Sequence, residues 1–174
     1  MYGNNGYGNG RGNFNSRGSY GNSRGSYGND RGSYGGQRRD DAPEIPKPMK
    51  LPTDYVKAAE DAMKSIRQEE KKDNKITTSK LRNLYSLTMC IYDKELRRTD
   101  SKLLPEDDAK LTQLHMRLLY EYGRDNGVKV FADKTKVLSY LKGIQSSREE
   151  YLNFAHYMEA LVAYHRFLGI GGKN

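Results

Sequence analysis

The chain has 174 residues and a formal net charge of +8; six Arg against three Asp place +3 in residues 1–41 and leave +5 for the rest, so both parts favour a polyanionic partner, either nucleic acid or an anionic membrane surface. Twelve of the 18 glycines also fall in those 41 residues with almost no aliphatic company, which removes that segment from any core and leaves one domain of about 120 residues. A lone cysteine, Cys90, excludes an internal disulfide and a cysteine-rich metal site, and with no secretory apolar core and no run near the roughly 20 residues that span a bilayer, the expectation is a soluble cytoplasmic protein without a membrane partner.

From Asn15 the sequence reads NSRGSYG, NSRGSYG, NDRGSYG, a seven-residue repeat that keeps Arg17, Arg24 and Arg31 in step with Tyr20, Tyr27 and Tyr34. Ordering a backbone costs about 1–2 kcal/mol per residue, and this composition buries too little to offset it, so residues 1–41 are expected to be a disordered tail. Its guanidinium and phenol groups suit phosphate pairing and base stacking without fixed geometry, hence salt-sensitive, sequence-tolerant RNA binding. A purely solubilising or condensate-forming tail is the competing reading. In residues 42–53, Pro43, Pro46, Pro48 and Pro52 predict an extended, polyproline-type linker.

Residues 54–174 are expected to form an all-α bundle of about five helices, because apolar residues there recur at three and four. The first, over 54–72, carries a thin stripe of Tyr55, Val56, Ala59, Met63 and Ile66. The second, over 79–98, repeats Leu81, Leu84, Tyr85, Thr88, Ile91 and Tyr92 after a capping cluster at Thr77, Thr78 and Ser79. A third opens after Pro105 with Glu106, Asp107 and Asp108, acids that complement a helix N-terminus, and is expected to end in the glycines of 123–127. The fourth covers 133–144, its last turn weakened by Gly143. The fifth, over 148–168, has one stripe at Tyr151, Phe154, Ala155, Met158, Leu161, Val162, His165 and Leu168 and a second at Tyr157, Ala160, Tyr164 and Phe167. A helix apolar around most of its girth is either the centre of its own bundle or covered by a neighbouring subunit; on the second reading Tyr157, Tyr164 and Phe167 form a subunit interface.

Nothing in the sequence composes a catalytic centre. His115, His156 and His165 sit among apolar neighbours at no ligand spacing, which reads as core or interface histidine rather than as a metal site or general base. The carboxylate pairs Glu69-Glu70, Asp107-Asp108 and Glu149-Glu150 abut helix ends or mixed-charge runs and read as solvated or dipole-complementing. No nucleophile elbow, phosphate-binding glycine loop or zinc fingerprint occurs, so neither enzyme activity nor a cofactor is expected.

Cations cluster in three places. At the start of the second helix, Lys75, Thr78, Lys80 and Arg82 combine charge, hydroxyl and free backbone N–H groups, a phosphate seat, or equally a plain N-cap with solvent-facing side chains. Lys94, Arg97 and Arg98 suit their own helix's C-terminal dipole. Lys129, Lys134 and Lys136 surround the expected start of the fourth helix, where the dipole disfavours cations, and are the more open for RNA.

With these elements placed, KITTSKLRNLYSL at 75–87 and FAHYMEALVAYHRFLG at 154–169 resemble the small subunit of the type III-A CRISPR effector, the Csm complex. The resemblance implies a helical bundle that self-associates in multiple copies along the guide RNA, beside other Csm complex subunits, and holds target RNA by its backbone. It implies no catalytic residue, and it places Lys80 and Arg82 on RNA; the aromatic residues of the last helix match by packing type only. The repeat tail departs from that pattern. The alternative is a free-standing single-stranded RNA-binding protein or chaperone that works through its tail.

Overall fold

The structure, a computed structural model, describes residues 44–171. Residues 1–43, with the repeat tail's Arg17, Arg24, Arg31, Tyr20, Tyr27 and Tyr34, lie outside the described residues. The described chain is all-α: α1 (Tyr55–Arg67), a 3-10 turn (Lys72–Asn74), α2 (Thr78–Met89), α3 (Tyr92–Leu96), α4 (Pro105–Arg124), α5 (Asn126–Thr135), α6 (Val137–Gly143) and α7 (Arg148–Phe167).

The last helix is the centre of the bundle. Tyr151, Phe154, Ala155, Tyr157, Met158, Leu161 and His165 of α7 are buried, and α1, α2, α3 and α6 pack on it. Helix α2 runs antiparallel to α7: the Tyr151 hydroxyl donates to Thr88 O at 2.8 Å near one end, and His165 Nε2 lies 3.0 Å from Ile76 O at the other. Since a carbonyl can only accept, His165 carries its proton on Nε2. Helix α5 bridges α1 and α4.

Two helices expected as continuous are broken, and tyrosines of α7 account for both breaks. The segment expected as one helix over 79–98 divides into α2 and α3 because Tyr151 takes the Thr88 carbonyl that a continued ladder would have used. The segment over 133–144 divides at Lys136, which adopts a left-handed φ of 56°, and there Tyr157 donates to Thr135 O at 2.7 Å. An orphaned helix-end carbonyl satisfied by a buried hydroxyl is a stable terminus. Burial pushes both phenols well above the ordinary tyrosine range, which keeps them donors. Tyr157, expected at a subunit interface, is therefore a core residue, 1% exposed.

Helix α4 ends within the 123–127 segment, as expected, but no loop follows. Helix α4 runs through Gly123 to Arg124, and α5 starts at once with Asp125 as its cap, accepting Val128 N–H at 2.9 Å. Gly127 serves close packing instead: a Cβ there would lie 2.7 Å from Lys75 O. Gly143 has the same use. The proline-rich linker is extended but docked on α6, with Met49 N–H donating to Ser139 O at 3.0 Å and Lys142 Nζ to Pro46 O at 3.0 Å. A Cβ on residue 143 would overlap Met49 O. Leu51 packs against the core, so residues 44–51 form a strap.

Candidate nucleic-acid interface

At the start of α2, where the sequence offers a phosphate seat or equally a plain N-cap, the cap is present. Thr77 caps the helix, its Oγ1 accepting Lys80 N–H at 3.4 Å. Around it the C-terminal turn closes in, since a Cβ on Gly171 would lie 3.3 Å from Thr78 N and 3.2 Å from the His165 ring. Thr78 is accordingly half-buried. Beyond this turn, Arg67, Glu70, Lys72 and Lys75 line a cleft against residues 168–171.

The seat's two leading cations do not converge. Residues two apart on an α-helix point to different flanks, and Lys80 turns toward α5, where its ammonium pairs with Asp125, whereas Arg82 is exposed. The two side chains therefore stand on different flanks of α2, one paired and one exposed. Burial raises the Asp125 carboxyl, but the Lys80 ammonium and the Val128 amide outweigh it and hold the group below its ordinary value. Lys80 is thus charge-matched by a helix cap.

Lys134 is likewise committed, 3.6 Å from Glu69, whose carboxylate also accepts Asn74 Nδ2–H at 3.0 Å. Lys129 stands 5.9 Å over the Tyr122 ring, and Lys136 is exposed at the α5–α6 junction. Among the described residues, Lys75, Arg82, Lys129 and Lys136 have no ion-pair partner. They flank the 3-10 turn, the start of α2 and the length of α5.

The opposite end of the bundle treats its cations differently. Glu95 and Asp107 are fully buried, a fact their charged surroundings in sequence conceal. Arg98 Nη1 lies 2.9 Å from both Glu95 oxygens, while Lys94 and Lys110 approach the two Asp107 oxygens at 2.7 and 3.0 Å. Arg148 of α7 donates to Glu95 O at 2.6 Å, tying α3 to the central helix. Burial raises the Asp107 carboxyl, yet Lys94 and Lys110 outweigh it and keep it low. Of the three cations assigned to a helix dipole, Lys94 and Arg98 are partners of buried acids, while Arg97 is exposed without an ion pair among the described residues.

The histidines are scattered. His156 Nε2 meets the Tyr92 hydroxyl at 2.7 Å and stacks near Tyr55, and His115 is pushed down by burial. Among the described residues no set of three His, Cys, Asp or Glu side chains is placed to hold a metal, and no helix is long and apolar enough to cross a membrane. The groove between α2 and α4 has a floor of Leu84, Leu87, Leu114 and Val128 and contains no imidazole; its cations Lys80, Lys110 and Arg117 are paired with Asp125, Asp107 and Glu121. Of the three aromatics expected at a subunit interface, Tyr164 reaches Glu60 of α1 at 3.2 Å and only Phe167 projects, 83% exposed.

The family model for type III-A Csm2 matches residues 52–170. A protein of Mycobacterium tuberculosis named CRISPR system Cms protein Csm2 is 40% identical over 117 residues, 66% of this chain and 91% of the relative. Proteins of the same name from Streptococcus thermophilus and Enterococcus italicus are each 36% identical, over 115 and 107 residues; the matches span 66% and 60% of this chain and 91% and 76% of those relatives.

Proposed function

The chain belongs to the type III-A Csm2 family, the small subunit of the Csm CRISPR complex, and on that premise we propose that it stacks in several copies along the guide RNA and holds target RNA by its phosphates, without a catalytic step of its own. The observation that carries this reading is the segregation of charge. At the α3–α4 end Lys94, Arg98 and Lys110 are held by buried carboxylates, whereas Lys75, Arg82, Lys129 and Lys136 form no ion pair among the described residues. Uncommitted cations spaced along one helix start and one helix flank suit a repeating phosphate backbone, which fixes position without reading sequence.

Phe167 extends the reading to self-association, because an aromatic 83% exposed at the end of the central helix is an anchor awaiting a neighbour. The partners on this account are guide RNA, target RNA, the other Csm subunits and further copies of this chain, assembled in the cytoplasm. Affinity purification of the tagged chain from its own cells tests it. Co-recovery of a guide RNA with several Csm subunits is expected; a chain recovered free of both would overturn the scaffold.

A further inference from the structure

We propose that the exposed ring of Tyr120 on α4 is a stacking platform for an unpaired RNA base, so that this chain holds a base face as well as phosphates. The inference rests on the RNA reading above and adds to it a residue that the unpaired cations do not include. Met116, Arg117, Tyr120, Gly123 and Arg124 stand three or four apart and share one face of α4, turned away from the side on which Leu111, Leu114 and Leu118 are buried. Met116 is 61% and Tyr120 57% exposed, so neither belongs to the core. The Arg117 and Arg124 guanidiniums approach the Tyr120 ring at 6.0 and 5.6 Å from its centroid, and Arg124 Nη1 donates to the Tyr120 hydroxyl at 3.4 Å. Stacked atoms meet at roughly 3.5–4 Å, so the guanidiniums flank this ring without covering it. Arg117 is steadied by Glu121 at 3.0 Å, and Arg124 forms no ion pair among the described residues. A base on the ring would have a cation on either side for its phosphates.

Gly123 is an independent sign at the same place. Its φ is not left-handed, and a Cβ built there would meet nothing within 4 Å. Neither backbone conformation nor packing within the chain asks for glycine, and alanine would hold the helix better. The other helical glycines answer to a close contact, Gly127 with Lys75 O and Gly143 with Met49 O. At Gly123 the close contact would come from outside: bare backbone one turn beyond Tyr120 lets a sugar–phosphate chain lie against α4 while its base reaches the ring. The face also adjoins the basic surface, since α5 starts at Asn126 and its Lys129 stands 5.9 Å over the Tyr122 ring. Cations interleaved with exposed rings favour a single-stranded polyanion over a protein partner, and a duplex hides the base faces that such a ring would stack on.

Fluorescence anisotropy of the full chain with labelled oligouridine, and with an abasic ribose–phosphate oligomer of equal length, tests this. Tyr120→Ala should weaken oligouridine binding by about fivefold or more, the low end for one base–aromatic stack, and leave the abasic oligomer unaffected. Tyr120→Phe should bind as the unaltered chain does, because the ring and not the hydroxyl is used. Gly123→Ala should move two readouts in opposite directions, raising the melting temperature while weakening oligouridine. Lys75→Ala with Arg82→Ala, which leaves this face intact, should weaken both oligomers alike and so reports on phosphate holding separately. Equal loss of both oligomers in Tyr120→Ala, or loss of neither, would overturn the platform and leave the phosphate reading standing. Selective loss of oligouridine in Tyr120→Ala beside an unchanged Lys75→Ala, Arg82→Ala variant would support the platform and count against the phosphate contacts instead.

Discussion

The two ends of this bundle differ in the acids their cations meet. Where α3, the start of α4 and the start of α7 meet, Glu95 and Asp107 are removed from water and Lys94, Arg98 and Lys110 surround them. Where the 3-10 turn and the starts of α2 and α5 meet, Asp125 and Glu69 absorb Lys80 and Lys134, and Lys75, Arg82 and Lys129 are left over. A cation beside a buried carboxylate contributes to the fold and is unavailable to a ligand. One without such a partner contributes little to stability and is free to release its counterions to a phosphate. Burial of the acid, rather than local density of Lys and Arg, separates the structural end from the end proposed to bind RNA.

The sharpest way to break this contrast is at Glu95. Glu95→Ala leaves Arg98 without its bidentate partner and opens a hole against α7, which should cost about 3 kcal/mol of unfolding free energy in urea titrations. RNA affinity measured well below the lowered transition should be unchanged. A loss under 1 kcal/mol would mean that the acidic corner is not structural in the sense argued here.

Acid titration separates the two ends more gently. Asp107 and Asp125 both have carboxyls held below the ordinary aspartate value, so the stability they contribute is present above that ordinary value and is lost as pH falls through their folded values. Added salt should blunt the Asp125 contribution, 28% exposed with its partner Lys80, and scarcely touch that of Asp107, which is fully buried. Circular dichroism of Asp107→Asn and Asp125→Asn between pH 5 and pH 2, at low and high salt, reads the difference; equal salt sensitivity would erase it.

At the binding end, Lys75→Ala with Arg82→Ala should flatten the salt dependence of RNA binding by roughly 0.7 per lost contact, with stability changed by less than about 0.5 kcal/mol. The measurement belongs in the assembled complex. An unchanged slope would reduce the start of α2 to a helix cap.

How far the sequence reached follows from the range of the interactions. The Thr77 cap, the opening of α4 at Pro105 and the apolar girth of α7 depend on neighbours a few residues away, and all were legible. The α2–α3 and α5–α6 breaks were not, because the hydroxyls that end those ladders arrive from Tyr151 and Tyr157, 63 and 22 residues along the chain. The same Tyr157 looked like interface because its stripe was counted without the helices that cover it. Among candidate RNA contacts, Lys75, Arg82, Lys129 and Lys136 could be named from sequence. That Lys80 and Lys134 belong to Asp125 and Glu69, 45 and 65 residues away, could not. Glu95 and Asp107 stood in charged runs where nothing local marks an acid as buried.

The smallest expected effect is also the most discriminating, because Lys80 belongs by sequence to the binding group and by geometry to the structural one. Lys80→Ala removes a half-exposed ion pair, and Asp125 keeps its bond from Val128 N–H, so the stability cost should stay under about 1 kcal/mol. The Asp125 carboxyl should move back up toward its ordinary value, since the lysine is among the causes that hold it down. The salt slope of RNA binding should be that of the unaltered chain, because a cation already neutralised by a carboxylate releases no counterion on meeting a phosphate. A slope lowered as far as one lost contact would mean that RNA draws Lys80 away from Asp125, and the α5 cap would then be part of the binding surface.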